Sequence, residues 1–221
     1  MKKWLFLLCF FLLSACANDK TAAEQNLSEQ ASKQELKEKL LELTELFGSL
    51  EAKYEDIDKA VREADSLGLK GEERDNFVRS YLIFLSAGKK ADANSVKEDS
   101  ELRRLYEDAW KKLAEEKYGV AIEEEALEEL IETYIDTFEY ALYETEETLG
   151  TDMFYLAEAL GYSLHDFFHN FDRHHFEKWL IGQELFPILK EGYGLEDNLA
   201  ISERYRLEVI DYIVESFGTM E

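Results

Sequence analysis

The chain has 221 residues and a formal net charge of −24, with 49 acidic and 25 basic side chains. Such a charge repels polyanions, so the composition excludes nucleic acid as a partner and favours basic partners or cations. Apolar residues make up 46% of the chain, which excludes disorder over most of its length.

The first residues have the pattern of an export signal. A basic start at residues 2–3 precedes an uncharged run over residues 4–13, too short for a membrane-spanning helix, which needs about 20 residues. The sequence LSAC at residues 13–16 then resembles the lipobox of bacterial lipoproteins at all four positions. The resemblance implies that residues 1–15 are a cleaved lipoprotein signal peptide. An ordinary secreted protein, cut by general signal peptidase, is the alternative.

The same resemblance implies a lipid anchor. A diacylglyceryl group would be attached to the Cys16 sulfur, with further acyl chains such as palmitate, and would hold the protein on the extracytoplasmic face of the cell membrane. In a host with two membranes, Ala17 lacks the aspartate typical of inner-membrane retention, so the outer membrane is expected. Residues 16–32 are polar and small, and they are predicted to form the lipidated cysteine and a flexible tether.

A long helix is predicted over residues 33–67. Its apolar residues alternate spacings of three and four, which is the heptad pattern of a coiled coil. The helix could project as an arm, self-associate through residues 33–67, or belong to the body of the protein. The apolar positions are Leu36, Leu40, Leu43, Phe47, Leu50, Tyr54, Ile57, Val61 and Ala64.

Residues 68–221 are predicted to form an acidic helical bundle. Apolar residues recur there at helical spacing, and no run of strands is evident. The fold class is therefore all-α, a helical bundle of about six or seven helices including the first. After the heptad helix, helices are expected over 72–87, 96–118, 122–149, 151–160, 163–190 and 202–217.

The four histidines fall in one short segment of the expected helix 163–190. At about 100° per residue, His165, His169 and Asp172 lie within about 60° of one another on one face. Two imidazoles and a carboxylate suit zinc or a similar divalent metal, so these three are the candidate ligands. The same geometry predicts that His175 points into the core and that His174 lies on the opposite shoulder. The alternative is a polar helix edge with local hydrogen bonds.

Catalytic motifs are missing from the sequence. It has no His-Glu-x-x-His, no Gly-x-Ser-x-Gly, no phosphate-binding loop, and no cysteine beyond the anchor position to act as a nucleophile. We therefore expect no enzyme but a membrane-anchored, non-catalytic protein-interaction module at the cell envelope, with a protein partner that is basic. One alternative is a lipoprotein that binds a metal or small ligand through His165, His169 and Asp172. A second is an envelope hydrolase with an unrecognised site.

Overall fold

A computed structural model describes residues 22–45, 53–144 and 151–216. These residues form helices joined by short loops, and no strand occurs among them. The predicted all-α bundle is thus confirmed. The predicted signal peptide and Cys16 lie outside the described residues.

The helices are somewhat more numerous than the sequence predicted. The helix expected over 163–190 is divided into a single turn, a π-helical turn and a longer helix. The observed helices are α1 (Ala22–Thr44), α2 (Tyr54–Ser66), α3 (Gly71–Ser86), α4 (Ala93–Tyr118), α5 (Glu124–Glu144), α6 (Thr151–Leu160), α7 (Leu164–Asp166), the π turn (Phe167–Phe171), α8 (Arg173–Tyr193) and α9 (Asn198–Ser216).

Local sequence sets several of these boundaries. Asp92 caps α4 by accepting a hydrogen bond from the Ser95 amide at 3.1 Å. Gly119 ends the same helix at φ 71°, a left-handed conformation in which glycine has no Cβ clash. Ser163 caps α7 by accepting from the Asp166 amide at 3.0 Å, which confirms the helix start expected there.

The long first helix was predicted wrongly. Lys53 has an extended backbone, with φ −83° and ψ 153°, so a separate helix α2 begins at Tyr54. The two halves of the heptad seam also pack in different places: Leu40 is buried against α4 and α9, whereas Ile57 is buried in the cluster formed by α2, α3 and α6. Because Leu40 and Leu43 are buried and α1 packs against α4 and α9, the part of α1 that holds these residues belongs to the bundle and does not project as an arm. Self-association through residues 33–67 stays a prediction.

The predicted tether is also partly helical. Helix α1 begins at Ala22, upstream of the expected start at residue 33. The segment contains alanine, glutamate and glutamine, which are good helix formers, and neither proline nor glycine interrupts it. The remainder of the tether, residues 16–21, lies outside the described residues.

Two apolar clusters make up the core. One is formed mainly by α2, α3, α5, α6 and the π turn, and its buried side chains include Ile57, Phe77, Ile131, Leu156 and Phe168. The other is formed by α1, α4, α8 and α9, and its buried side chains include Leu40, Leu113, Leu189 and Ile210. Helices α4 and α8 contribute to both clusters and so join them.

Candidate metal centre

The histidine segment runs through the π turn. The Asp172 amide donates to the Phe167 carbonyl at 3.0 Å, a bond across five residues instead of four. Such a turn inserts one extra residue into the helix, so every later side chain is rotated relative to a regular α-helix. The angles predicted at 100° per residue therefore hold for the start of the segment and fail after Phe171.

The structure brings His165 and His169 together. Their rings stack with centroids 4.2 Å apart and planes inclined by 27°. Both rings direct Nε2 at the same carboxylate oxygen, Glu132 Oε1 of helix α5, at 3.1 Å from His165 and 3.0 Å from His169. One ligand atom from each of these three residues lies within 4.8 Å of the other two. Among the described residues, this is the one group of three potential ligands whose ligand atoms lie this close together.

The third residue of this group is Glu132, whereas the sequence analysis expected Asp172 beside the two histidines. Asp172 is not a member of the group; it follows the π turn and is half-buried at the start of α8. Burial raises the pKa of its carboxyl group, and the nearby His175 and Arg79 oppose that rise. Glu132 could not be recognised from the sequence, because α5 carries many glutamates at similar positions and only tertiary packing selects one of them.

The roles of the other two histidines are exchanged relative to the prediction. His174 is half-buried, and burial, reinforced by the positive charge of Arg79, lowers its pKa to about 3. His175 is exposed. The prediction that His175 enters the core was wrong because the extra residue of the π turn rotates α8.

A second carboxylate lies beside His169. Its Nδ1 lies 3.2 Å from Glu128 Oε2, and Glu128 in turn accepts from Arg173 Nη1 at 2.7 Å. The Arg173 hydrogen bond holds the pKa of Glu128 below its usual value. A histidine that donates Nδ1–H to a fixed carboxylate presents the Nε2 lone pair to whatever lies on its other side. In this protein, Glu128 Oε2 is the carboxylate oxygen that faces Nδ1 of His169.

The two carboxylates around His169 cannot both accept a hydrogen bond from a neutral imidazole ring. A neutral imidazole has one N–H, yet carboxylate oxygens face both of its ring nitrogens. Whichever ring nitrogen carries the hydrogen, the other faces a carboxylate oxygen as a second acceptor. A divalent metal ion between the two atoms would remove this conflict, and His165 Nε2 would add a further donor atom for it.

Comparisons with protein-family models, with curated proteins and with solved structures give no match to this chain. Over the parts of the chain that the structure describes, no helix combines the length and the apolar character needed to cross a membrane. Fold and site together thus define an acidic helical bundle with a histidine–glutamate centre on its surface.

Proposed function

We propose that this protein is a lipid-anchored component of the bacterial cell envelope that binds a divalent transition-metal ion through Glu132, His165 and His169. The observation that carries the proposal is the convergence of three ligand atoms from two separate parts of the fold. Glu132 lies on α5, so the spacing of residues within the histidine segment does not explain why its carboxylate faces the two imidazoles.

The chemistry of the three ligands suits zinc. Zinc takes imidazole nitrogen and carboxylate oxygen at about 2.0–2.2 Å, which separates neighbouring ligand atoms of a tetrahedral site by about 3.3 Å. The contacts of 3.0 and 3.1 Å are close to that separation. Small side-chain adjustments would therefore admit the ion between the rings and the carboxylate.

Because the site is exposed, a bound metal ion could enter it from solvent and leave it again. The side chains of His165 and Glu132 are 58% and 52% exposed, whereas His169 is 16% exposed. Three protein ligands leave one position of a tetrahedral site for water or another ligand. His169 and Glu128 would supply a rigid part of the site, and the other two ligands would close on the ion from solvent.

The sequence of residues 1–16 supports the envelope location. Removal of residues 2–3 with the signal would take the net charge from −24 to −26. The negative potential of an acidic surface raises the local concentration of cations. An anchored protein with such a surface is suited to capture metal ions at the membrane.

Calorimetric titration of the lipidated protein in detergent, after removal of metals with a chelator, tests the proposal. We expect one zinc ion per chain at micromolar or tighter affinity, lost in the double variant His165→Ala/His169→Ala and kept in His175→Ala. Circular dichroism verifies that the variants are folded. Absence of stoichiometric binding in the wild type, or unchanged binding in the double variant, contradicts the proposal.

As a second proposal, this protein binds a partner protein. Exposed apolar side chains on α8 and α9 favour this proposal. Trp179 is 50% exposed and Leu199 is 77% exposed. Tryptophan is enriched at protein interfaces, and the acidic surface would complement a basic partner. Crosslinking in intact cells should capture one stoichiometric partner that is lost in Trp179→Glu/Leu199→Glu; capture that is unaffected by this change counts against these residues.

A further inference from the structure

The metal centre forms one end of a ladder of side-chain contacts between α5 and the histidine segment. Three glutamates spaced four residues apart on α5 face three nitrogen-bearing side chains with the same spacing. The glutamates are Glu124, Glu128 and Glu132, and the residues opposite them are His165, His169 and Arg173. Each contact joins a side-chain nitrogen to a carboxylate oxygen at 2.5–3.2 Å. The residues pair in antiparallel order, so contacts at one end of the ladder constrain which residues meet at the other end.

Arg173 forms the permanently charged end of this ladder. Its Nη1 donates to Glu128 Oε1 at 2.7 Å, and its Nη2 donates to Glu124 Oε1 at 2.5 Å. The Nε of Arg173 lies 3.5 Å from Glu177 Oε1. Glu177 is 15% exposed and also accepts from Lys111 of α4 at 2.8 Å. The guanidinium therefore ties the Glu128 carboxylate to both α8 and α4.

The position of one hydrogen on His169 decides whether this residue can bind a metal ion together with His165 and Glu132. A neutral imidazole binds a metal through the ring nitrogen that lacks the hydrogen. With the hydrogen on Nδ1, that nitrogen is Nε2, which faces Glu132 Oε1 at 3.0 Å. With the hydrogen on Nε2, the lone pair would face Glu128 instead of Glu132.

The contacts around the ring of His169 favour the hydrogen on Nδ1. Glu132 Oε1 lies within hydrogen-bond distance of two imidazoles, so His165 Nε2 can donate to it. Glu128 Oε2 faces Nδ1 of His169 at 3.2 Å, while Oε1 of the same carboxylate is held by Arg173. A fixed acceptor next to one ring nitrogen selects the tautomer that carries its hydrogen there.

We propose that Glu128 and Arg173 are positioning residues of the metal centre. Glu128 keeps the hydrogen of His169 on Nδ1, and Arg173 fixes the Glu128 carboxylate, so that Nε2 of His169 is available to the ion. This inference rests on the proposed metal site and adds the two residues that prepare His169 for it. His165 is 58% exposed and is the more adaptable of the two imidazole ligands.

Calorimetric titration of the lipidated protein in detergent with zinc tests the role of both residues. Glu128→Ala should weaken zinc binding about 10–100-fold, the usual loss when a carboxylate behind a metal-binding histidine is removed, and Arg173→Met should weaken it at least about tenfold. Glu129→Ala, the same substitution at an exposed neighbour on α5, should leave the affinity unchanged. Circular dichroism verifies that the variants are folded. Equal affinities of the wild type and Glu128→Ala would overturn the proposal and leave the metal site in place.

The tautomer of His169 is a second readout, and it needs no bound metal. NMR spectra of the metal-free protein labelled with nitrogen-15 at histidine distinguish a hydrogen on Nδ1 from one on Nε2, and His169→Gln assigns the signals. The spectra are recorded at about pH 8, where an imidazole is ordinarily neutral. We expect the hydrogen on Nδ1 in the wild type and on both nitrogens in exchange in Glu128→Ala.

A hydrogen on Nε2 of His169 in the wild type, or identical tautomers in the wild type and Glu128→Ala, would overturn the proposal. The wild-type spectrum keeps this test valid even where a variant does not fold. If the wild type binds no zinc, the proposed metal site fails, and the tautomer alone still decides the role of Glu128.

Discussion

The amide of Asp172 donates to the carbonyl of Phe167 at 3.0 Å, and the extra residue in this turn rotates the side chains that follow Phe171, including those of His174 and His175. Next to this turn, the His175 amide donates to the Asp172 carbonyl at 2.9 Å where α8 begins, and the buried Arg79 donates to the Phe171 carbonyl. The π turn is thus fixed from outside the helix by a guanidinium of α3.

Replacement of Arg79 should destabilise the protein strongly. Arg79→Met removes the donor to the Phe171 carbonyl and leaves Asp75, Asp172 and Glu107 without that positive charge. Loss of one partner in a buried charge cluster costs about 3–5 kcal/mol in the free energy of unfolding. Urea denaturation followed by circular dichroism measures it.

Arg104→Met is the matched control, because Arg104 forms an exposed ion pair with Asp108 at 3.5 Å. Loss of this ion pair should change the free energy of unfolding by about 0–1 kcal/mol. Equal effects of the Arg79 and Arg104 replacements would show that the π turn does not depend on the buried guanidinium.

His174 should make the protein sensitive to acid. Its pKa of about 3 in the folded state lies below the ordinary value of 6.5, so between these pH values the unfolded chain binds a proton that the folded chain does not. This contribution is absent above pH 6.5, and it lowers stability as the pH falls from 6.5 towards 3, by at most about 1.4 kcal/mol per pH unit.

The variant His174→Gln cannot take up this proton, so its stability should fall less steeply than that of the wild type over the same interval. Chemical denaturation at several pH values measures the difference. His175→Gln, which changes an exposed neighbour, should follow the wild-type profile. Parallel profiles for the wild type and His174→Gln would contradict the buried position of His174.

Glu132 and Asp172 can be distinguished directly as metal ligands. Glu132→Gln removes the carboxylate that both imidazoles face and should weaken zinc binding at least about tenfold, whereas Asp172→Asn should leave the affinity unchanged. Competition with a fluorescent zinc chelator measures both. The reverse order of effects would favour the ligand set expected for a regular helix.

Local patterns account for the part of the fold that the sequence predicted. Apolar periodicity gave the helical class, and the Ser163 cap was recognisable because a serine precedes a helical segment there. The π turn was not predictable, since no local pattern marks the bond across five residues and the contact of Arg79 with the Phe171 carbonyl comes from α3. Glu132 was missed for a related reason: its partners are on a distant part of the chain.

The lipid anchor stays a prediction that fractionation can test. Cys16→Ser should release the protein from the membrane fraction, because the lipid needs the cysteine sulfur. Cys9→Ser is the control, since Cys9 lies inside the predicted signal and should not affect anchoring. Mass spectrometry of the mature amino terminus should show an acylated cysteine. An unmodified amino terminus in the wild type would contradict the lipobox assignment.

The most direct test of the metal centre is anomalous diffraction from crystals of the protein grown with zinc, recorded on both sides of the zinc absorption edge. We predict an anomalous peak about 2.0–2.2 Å from a Glu132 carboxylate oxygen and from Nε2 of both His165 and His169. Zinc-containing crystals with no peak at these three residues, or with the ion bound at Asp172 instead, would contradict the account.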